Sequence, residues 1–332
     1  MAAWTSGGSP PRAADLMSCI GQRPAAARVH RSHGFAAVTL ASGELEATFL
    51  PELNLLGVSL RLAGEEYLAL SGGVSAYRSG HATGLPVLAP WANRLGARSY
   101  RSGRVGVDLE GLSLHEDGKG LPIHGTLAAR HAWELASLHA RGRRARLEAW
   151  FEYDRPELLA AFPFPHRLEA TIEVDGRSLS VATSLTPTGR RAVPVSFGYH
   201  PYLRLPDGRR AAWRLRLPRR SRLELDERGI PTGRSSLVSA ESEPIGDRAF
   251  DDLFELAGAG TLAIDGAGRR LSVDFGPGYT FAQVFTPPGR NAVCLEPMTA
   301  PTNALVSGAC PVVHPGETFT ARFRITPERS VI

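Results

Sequence analysis

Two titratable residues far apart in the chain stand in short, unusual frames: His200 in Ser196-Phe197-Gly198-Tyr199-His200-Pro201-Tyr202, and Glu296 in Val293-Cys294-Leu295-Glu296-Pro297. Each closes an apolar, strand-like run and is followed by proline, which suits a proton donor and a proton acceptor facing a shared cleft. Pro201 biases His200 toward an extended backbone and donates no hydrogen bond, so the ring should leave the sheet at a strand end. Alternation puts Cys294 and Glu296 on one face of their strand and Val293 and Leu295 on the other. A carboxylate ending a hydrophobic strand is unfavourable unless paired or protonated, and the same burial raises its pKa toward neutrality, as a general base requires. The plainer alternatives are a satisfied core histidine and an exposed strand-end glutamate. Cys294 reads as a small buried filler, since no cation or histidine neighbours it in sequence.

Further polar residues could hold a ligand. His124 lies in Leu121-Pro122-Ile123-His124-Gly125, where the glycine lets backbone approach closely. Asn93-Arg94 follows the apolar run 87–92. Asn, Arg and His together offer several fixed donors to a polyhydroxylated molecule, on whose apolar face Trp91 or Tyr202 could stack. Other chemistries are excluded. Lys119 is the only lysine and sits in a polar turn, unsuited to a Schiff base. His115-Glu116-Asp117 matches no metal motif and reads as a turn, and neither a phosphate loop nor a Gly-x-Ser-x-Gly elbow is present. Cys19, Cys294 and Cys310 are too few and too irregular for a disulfide framework or a zinc site, which points to a reducing compartment.

The elements that must position these residues are strands. Runs at 35–40, 44–50, 55–62, 133–138, 144–153, 168–174, 179–185, 261–264, 271–275, 281–285 and 319–325 mostly alternate apolar and polar residues. Helical periodicity is nearly absent, and the best candidate, 156–161, is stopped by Pro163 and Pro165. Many short strands among 35 glycines and 25 prolines predict an all-β sandwich or barrel. The chain has 332 residues, 43% of them hydrophobic, enough for one large core. Its net charge of +5 comes almost wholly from arginine. The clusters at 141–146 and 209–222 alternate in part with apolar residues, as in Trp213-Arg214-Leu215-Arg216-Leu217, so they read as solvated strand faces rather than a nucleic-acid surface. Residues 1–34, rich in Ala, Gly, Pro, Ser and Arg, read as a mobile tail without the apolar core of a secretory signal, and 35–328 as one domain. With no membrane-length apolar run, the chain reads as soluble and cytoplasmic.

Taken in order, these windows resemble the aldose 1-epimerase (galactose mutarotase) family across about 35–326. Its Asn-Arg segment is similar to Asn93-Arg94, its His-Gly segment to His124-Gly125, its His-x-Tyr segment to His200-Pro201-Tyr202 and its strand-end glutamate to Glu296. Its aspartate before an apolar pair is similar to Asp251, with Asp247 and Asp252 as alternatives. The resemblance implies a large antiparallel β-sandwich of the galactose mutarotase-like supersandwich type. It also implies interconversion of α and β anomers of a hexose, with Glu296 as base, His200 as acid, and Asn93, Arg94, His124 and Asp251 binding the sugar. Acid and base are expected on opposite sides of the reacting acetal. Neither a metal nor an organic cofactor is implied; the expected partner is a small sugar, with no nucleic acid or membrane, and the chain a monomer or dimer. Thr126 departs from the second glycine usual in galactose-type members, and Pro287 replaces a polar residue some of them use on the sugar. A hexose-6-phosphate 1-epimerase is the alternative suggested by the arginines. A non-catalytic carbohydrate-binding protein is the rival from another class, and a glycoside hydrolase is disfavoured because it requires two carboxylates.

Overall fold

Strict alternation of buried and half-buried residues runs the length of Leu179–Pro187, and nearly so along His166–Val174 and Arg144–Tyr153. Such strands are stable only when the apolar face is covered by another layer. The computed structural model, which describes residues 24–329, supplies that cover. A nine-stranded sheet runs in the order Glu241–Pro244, Arg214–Leu217, Gly260–Gly266, Arg269–Phe275, Phe319–Arg329, Leu179–Pro187, His166–Val174, Arg144–Tyr153, Glu134–Arg141. Facing it is a sheet in the order Pro231–Val238, Arg220–Leu225, Asp251–Leu256, Phe281–Phe285, Val293–Met298, Gly198–Tyr199, Val87–Leu88, with Tyr202–Leu203 also paired to Val293–Met298. Strand pairs in both are antiparallel. The two layers meet in one core, where Tyr199 donates or accepts a 2.8 Å hydrogen bond with Thr183 Oγ1 and packs its ring 4.9 Å from that of Phe323. The protein is therefore mostly β, with two antiparallel sheets packed face to face.

A third sheet of five strands begins at Ala26–Ser32, inside the expected tail of 1–34. Residues 26–32 pair in register with Phe35–Ser42, from Ala26 opposite Ala41 to Ser32 opposite Phe35. This corrects the tail boundary, while residues 1–23 lie outside the described residues. An edge strand is held by its backbone ladder, so its side chains need no apolar pattern, and Arg28, His30 and Arg31 gave none. The Pro156–Leu159 helix forms where expected; Gly73–Arg78 and Ala304–Ser307 are short helices that the periodicity did not reveal. Among the described residues, no helix is long and apolar enough to cross a membrane. Arg214–Leu217 exposes both arginines and buries both leucines, as a solvated strand face should.

Candidate active site

The regular ladder breaks where the facing sheet carries its polar residues. Gly198–Tyr199 and Tyr202–Leu203 both pair with Val293–Met298, and His200-Pro201 spans the gap between them. His200 keeps a backbone bond to the Pro86 carbonyl at 3.1 Å while its ring turns out of the ladder. Cross-strand pairing sets Gln283 opposite Glu296, and Phe285 opposite both Asp251 and Cys294. Val293 and Leu295 enter the core between the sheets, so Glu296 is left on the other face. Two loops complete the wall. Arg94 bridges Ile123, and the His124 N–H bonds the Asn93 carbonyl at 3.0 Å. Asn93 and His124 both take left-handed backbone angles, φ 58° and 64°, uncommon for non-glycine residues and of the kind that collects at functional sites. Gly125 cannot be replaced cheaply, since a Cβ there would lie 2.1 Å from the Ala89 carbonyl oxygen.

All six expected residues, His200, Glu296, Asn93, Arg94, His124 and Asp251, line one cavity of about 370 Å³. His200 Nε2 lies 3.3 Å from Glu296 Oε1, with both side chains almost wholly buried. The His200 ring stacks on Tyr202 with centroids 4.6 Å apart and meets His124 edge-on at 5.3 Å. Burial pulls the His200 imidazole down to about 3 and pushes the Glu296 carboxyl well above its ordinary range, the Asp251 charge adding to the rise and Arg94 opposing it. Both shifts favour the uncharged pair, a carboxylic acid against a neutral imidazole, so that one proton belongs to two groups. His124 is likewise held well below the usual imidazole range, first by burial and then by the His200 charge.

Arg94 is held from three sides. Nε donates to Asp117 Oδ2 at 2.7 Å, Nη2 to Asp251 Oδ2 at 3.2 Å and Nη1 to Asn93 Oδ1 at 3.2 Å. Gln283 Nε2 donates to Asp251 Oδ1 at 2.6 Å. Four buried polar atoms on residues of this wall meet no partner: His124 Nδ1, His200 Nδ1, Gln283 Oε1 and Glu296 Oε2. These are four of ten such side-chain atoms among the described residues, and their gathering on one cavity leaves room there for a hydrogen-bonding ligand.

Several expectations need correction. Acid and base stand side by side, not on opposite sides of a space for a sugar ring. Trp91 is fully buried and cannot stack on a ligand, because its side chain packs into the hydrophobic core rather than the cavity. Tyr202 does line the cavity. Of the three candidate aspartates, Asp251 faces the cavity, Asp252 turns away to pair with Arg222, and Asp247 sits exposed in a turn. Thr126 is absent from the wall and bonds the Tyr153 hydroxyl at 3.0 Å. Sequence reasoning missed Asp117, Gln283 and Arg290. Asp117 does sit in a turn, where its Oδ1 accepts the Lys119 and Leu121 N–H groups, and its second oxygen is thereby aimed at Arg94. Gln283 was signalled by an amide in mid-strand between Phe281 and Phe285. His200, Cys294 and Glu296 bring three donor atoms within 4.8 Å of one another, as metal ligands would. Burial pushes the Cys294 thiol well above its ordinary range, so a metal there would have to displace its proton on binding.

The protein is a mostly β sandwich in which an imidazole and a carboxyl meet in one cavity. The chain belongs to the aldose 1-epimerase family, whose model matches residues 58–326. No curated protein matches the sequence. Among solved structures, a galactose mutarotase-like protein from Clostridium acetobutylicum is similar at 19% identity and TM-score 0.81, covering 92% of this chain and 99% of that one. The galactose 1-epimerase of Lactobacillus acidophilus NCFM is similar at 15% identity and TM-score 0.73, covering 92% and 100%. An aldose epimerase homologue from Caenorhabditis elegans is similar at 14% identity and TM-score 0.71, again covering 92% and 100%. At these identities the likeness carries the fold.

Proposed function

We propose that this protein interconverts the α and β anomers of an aldose by acid–base ring opening, with Glu296 as base and His200 as acid. The observation that carries this reading is the set of unpartnered polar atoms converging with the His200–Glu296 pair on one cavity. The hydroxyl oxygen on C1 and the ring oxygen O5 share one carbon, so an acid and a base in contact match them better than groups on opposite sides. When sugar hydroxyls bond the carboxyl, with Arg94 already favouring its charge, the shared proton passes to His200. Glu296 then takes the C1 hydroxyl proton while the imidazolium protonates O5, and the C1–O5 bond breaks. Opening leaves carboxylic acid and neutral imidazole, the form that burial favours. Rotation about C1–C2 presents the other face of the aldehyde, and the ring closes with the proton transfers reversed. Asn93, Arg94, His124 and Asp251 would hold the hydroxyls, with Asp117 positioning Arg94.

Each positioned proton transfer contributes ~10² to 10⁴ in rate. Polarimetry of freshly dissolved α-anomers, or exchange NMR of anomeric protons, tests the assignment. Glu296→Gln and His200→Asn proteins with intact melting transitions should each lose at least ~10²-fold. Relaxation as fast as wild type in both would remove the role assignment. Sugar binding by the wild-type protein with no acceleration would instead make it a carbohydrate-binding protein.

A further inference from the structure

We infer that the aldose turned over here carries an anionic group on C6, a phosphate or a carboxylate, received by Arg290 with His81 and His115. This rests on the anomerisation reading. The two ends of the cavity differ in charge balance. At one end Arg94 is matched by Asp117 and Asp251, and Glu296 is engaged with His200, which accounts for every carboxylate on the wall. At the other end Arg290, His81 and His115 line the wall with no carboxylate of their own. The side-chain hydrogen bond of Arg290 is from Nη1 to the Ala82 carbonyl at 3.1 Å, and no ion pair engages it among the described residues. Four of its five N–H donors are therefore uncommitted, and a half-buried guanidinium with free donors suits a forked anion. His115 packs near Gly80, beside His81, and is held below the usual imidazole range by burial and then by the His81 charge. Asp117 opposes that fall, but both of its oxygens are already occupied.

Position selects C6. The Tyr202 ring that stacks on His200 at 4.6 Å also lies 5.7 Å from the Arg290 guanidinium carbon. The cation thus stands about one aromatic ring beyond the group that protonates O5. C5 bears C6 and is bonded to O5, so a sugar whose O5 meets His200 presents its C6 substituent on that side. Phe285, Pro287 and Pro288 complete this end and offer a neutral sugar no hydrogen-bond donor from their side chains.

Exchange NMR on the full-length protein would compare glucose and galactose with their 6-phosphates and with glucuronate and galacturonate, each corrected for its own uncatalysed rate. We expect kcat/KM for at least one anionic sugar to exceed its neutral parent by about tenfold or more, with phosphate and carboxylate arms identifying the group. Arg290→Gln should shrink that ratio about tenfold, chiefly through KM, and Arg290→Lys should restore part of it. Inorganic phosphate should compete with the preferred anionic sugar on the wild-type protein, a readout independent of any variant. Equal or better turnover of neutral sugars, or an Arg290→Gln protein with an unchanged ratio, overturns the inference and leaves anomerisation standing. Acceleration of no sugar at all overturns the anomerisation reading itself.

Discussion

The two facing sheets obey different rules. In the nine-stranded sheet, Arg144–Tyr153, His166–Val174, Leu179–Pro187 and Phe319–Arg329 pair along nearly their whole lengths, and none carries a residue of the candidate site. In the other, two of the three strands beside Val293–Met298 are two residues long, and His200 occupies the break between them, while Phe281–Phe285 keeps a full ladder on the other side. An unbroken ladder commits each residue to one of two faces and builds a wall. A break frees a side chain to turn across the sheet, while the neighbouring ladder still holds its backbone. The comparison teaches that the regular sheet is built for packing while the broken one holds the candidate site, a division in which buried ionisable groups exact a stability cost.

The largest separation should come from the pair proposed as acid and base, His200 and Glu296. Glu296→Gln should lose at least ~10²-fold in anomerisation rate yet melt no lower than wild type at neutral pH, measured by NMR exchange and thermal unfolding. A large loss of stability in that variant would erase the distinction between the sheets. The converse change is Phe323→Ala, which empties a buried ring site in the regular sheet. It should destabilise by ~3–5 kcal/mol in urea titrations while the rate per folded molecule stays near wild type.

Adjacent residues on one strand sharpen the contrast further. Asp251→Asn should lower kcat/KM about tenfold, since Asp251 engages both Arg94 and Gln283. Asp252→Asn, on the opposite face with Arg222, should leave kinetics within twofold of wild type. Equal effects from both would mean that the face of the strand does not decide function.

The smallest effect concerns pH. Glu296 binds its proton more tightly folded than unfolded, so its contribution to stability is fully present below about pH 4.5 and is lost as pH rises through the raised folded value. The melting-temperature advantage of Glu296→Gln over wild type should therefore widen with rising pH. His200 behaves in the opposite sense: its folded value falls from 6.5 to about 3, so stability is lost as pH drops through that window. A His200→Asn advantage should grow over the same acid range. Gaps independent of pH would mean that neither group is shifted.

Much of the site was legible because its residue types break local expectation. A glutamate ending an apolar strand and a histidine before proline are expensive choices, visible in a short window, and the alternation of Cys294 and Glu296 against Val293 and Leu295 follows from the strand period alone. Asp117 and Arg290 carry no such signal, since an aspartate in a glycine-rich turn and an arginine in a proline-rich loop are ordinary surface choices. The Ala26–Ser32 strand was hidden for a related reason: its pairing runs through backbone groups that every residue possesses.

By itself, then, the sequence determined that the chain is built of strands, which faces of them are apolar, and which two titratable side chains are out of place among apolar neighbours. Periodicity and burial cost are local properties, readable from neighbours in the chain. Only the tertiary structure decided that the imidazole and the carboxyl are in contact, that Asp251 faces inward and Asp252 outward, and that Arg94 is neutralised while Arg290 is not. Distances and charge pairing depend on which strands become neighbours across the sheet, and that is settled by long-range ladders and the shared core rather than by any single segment.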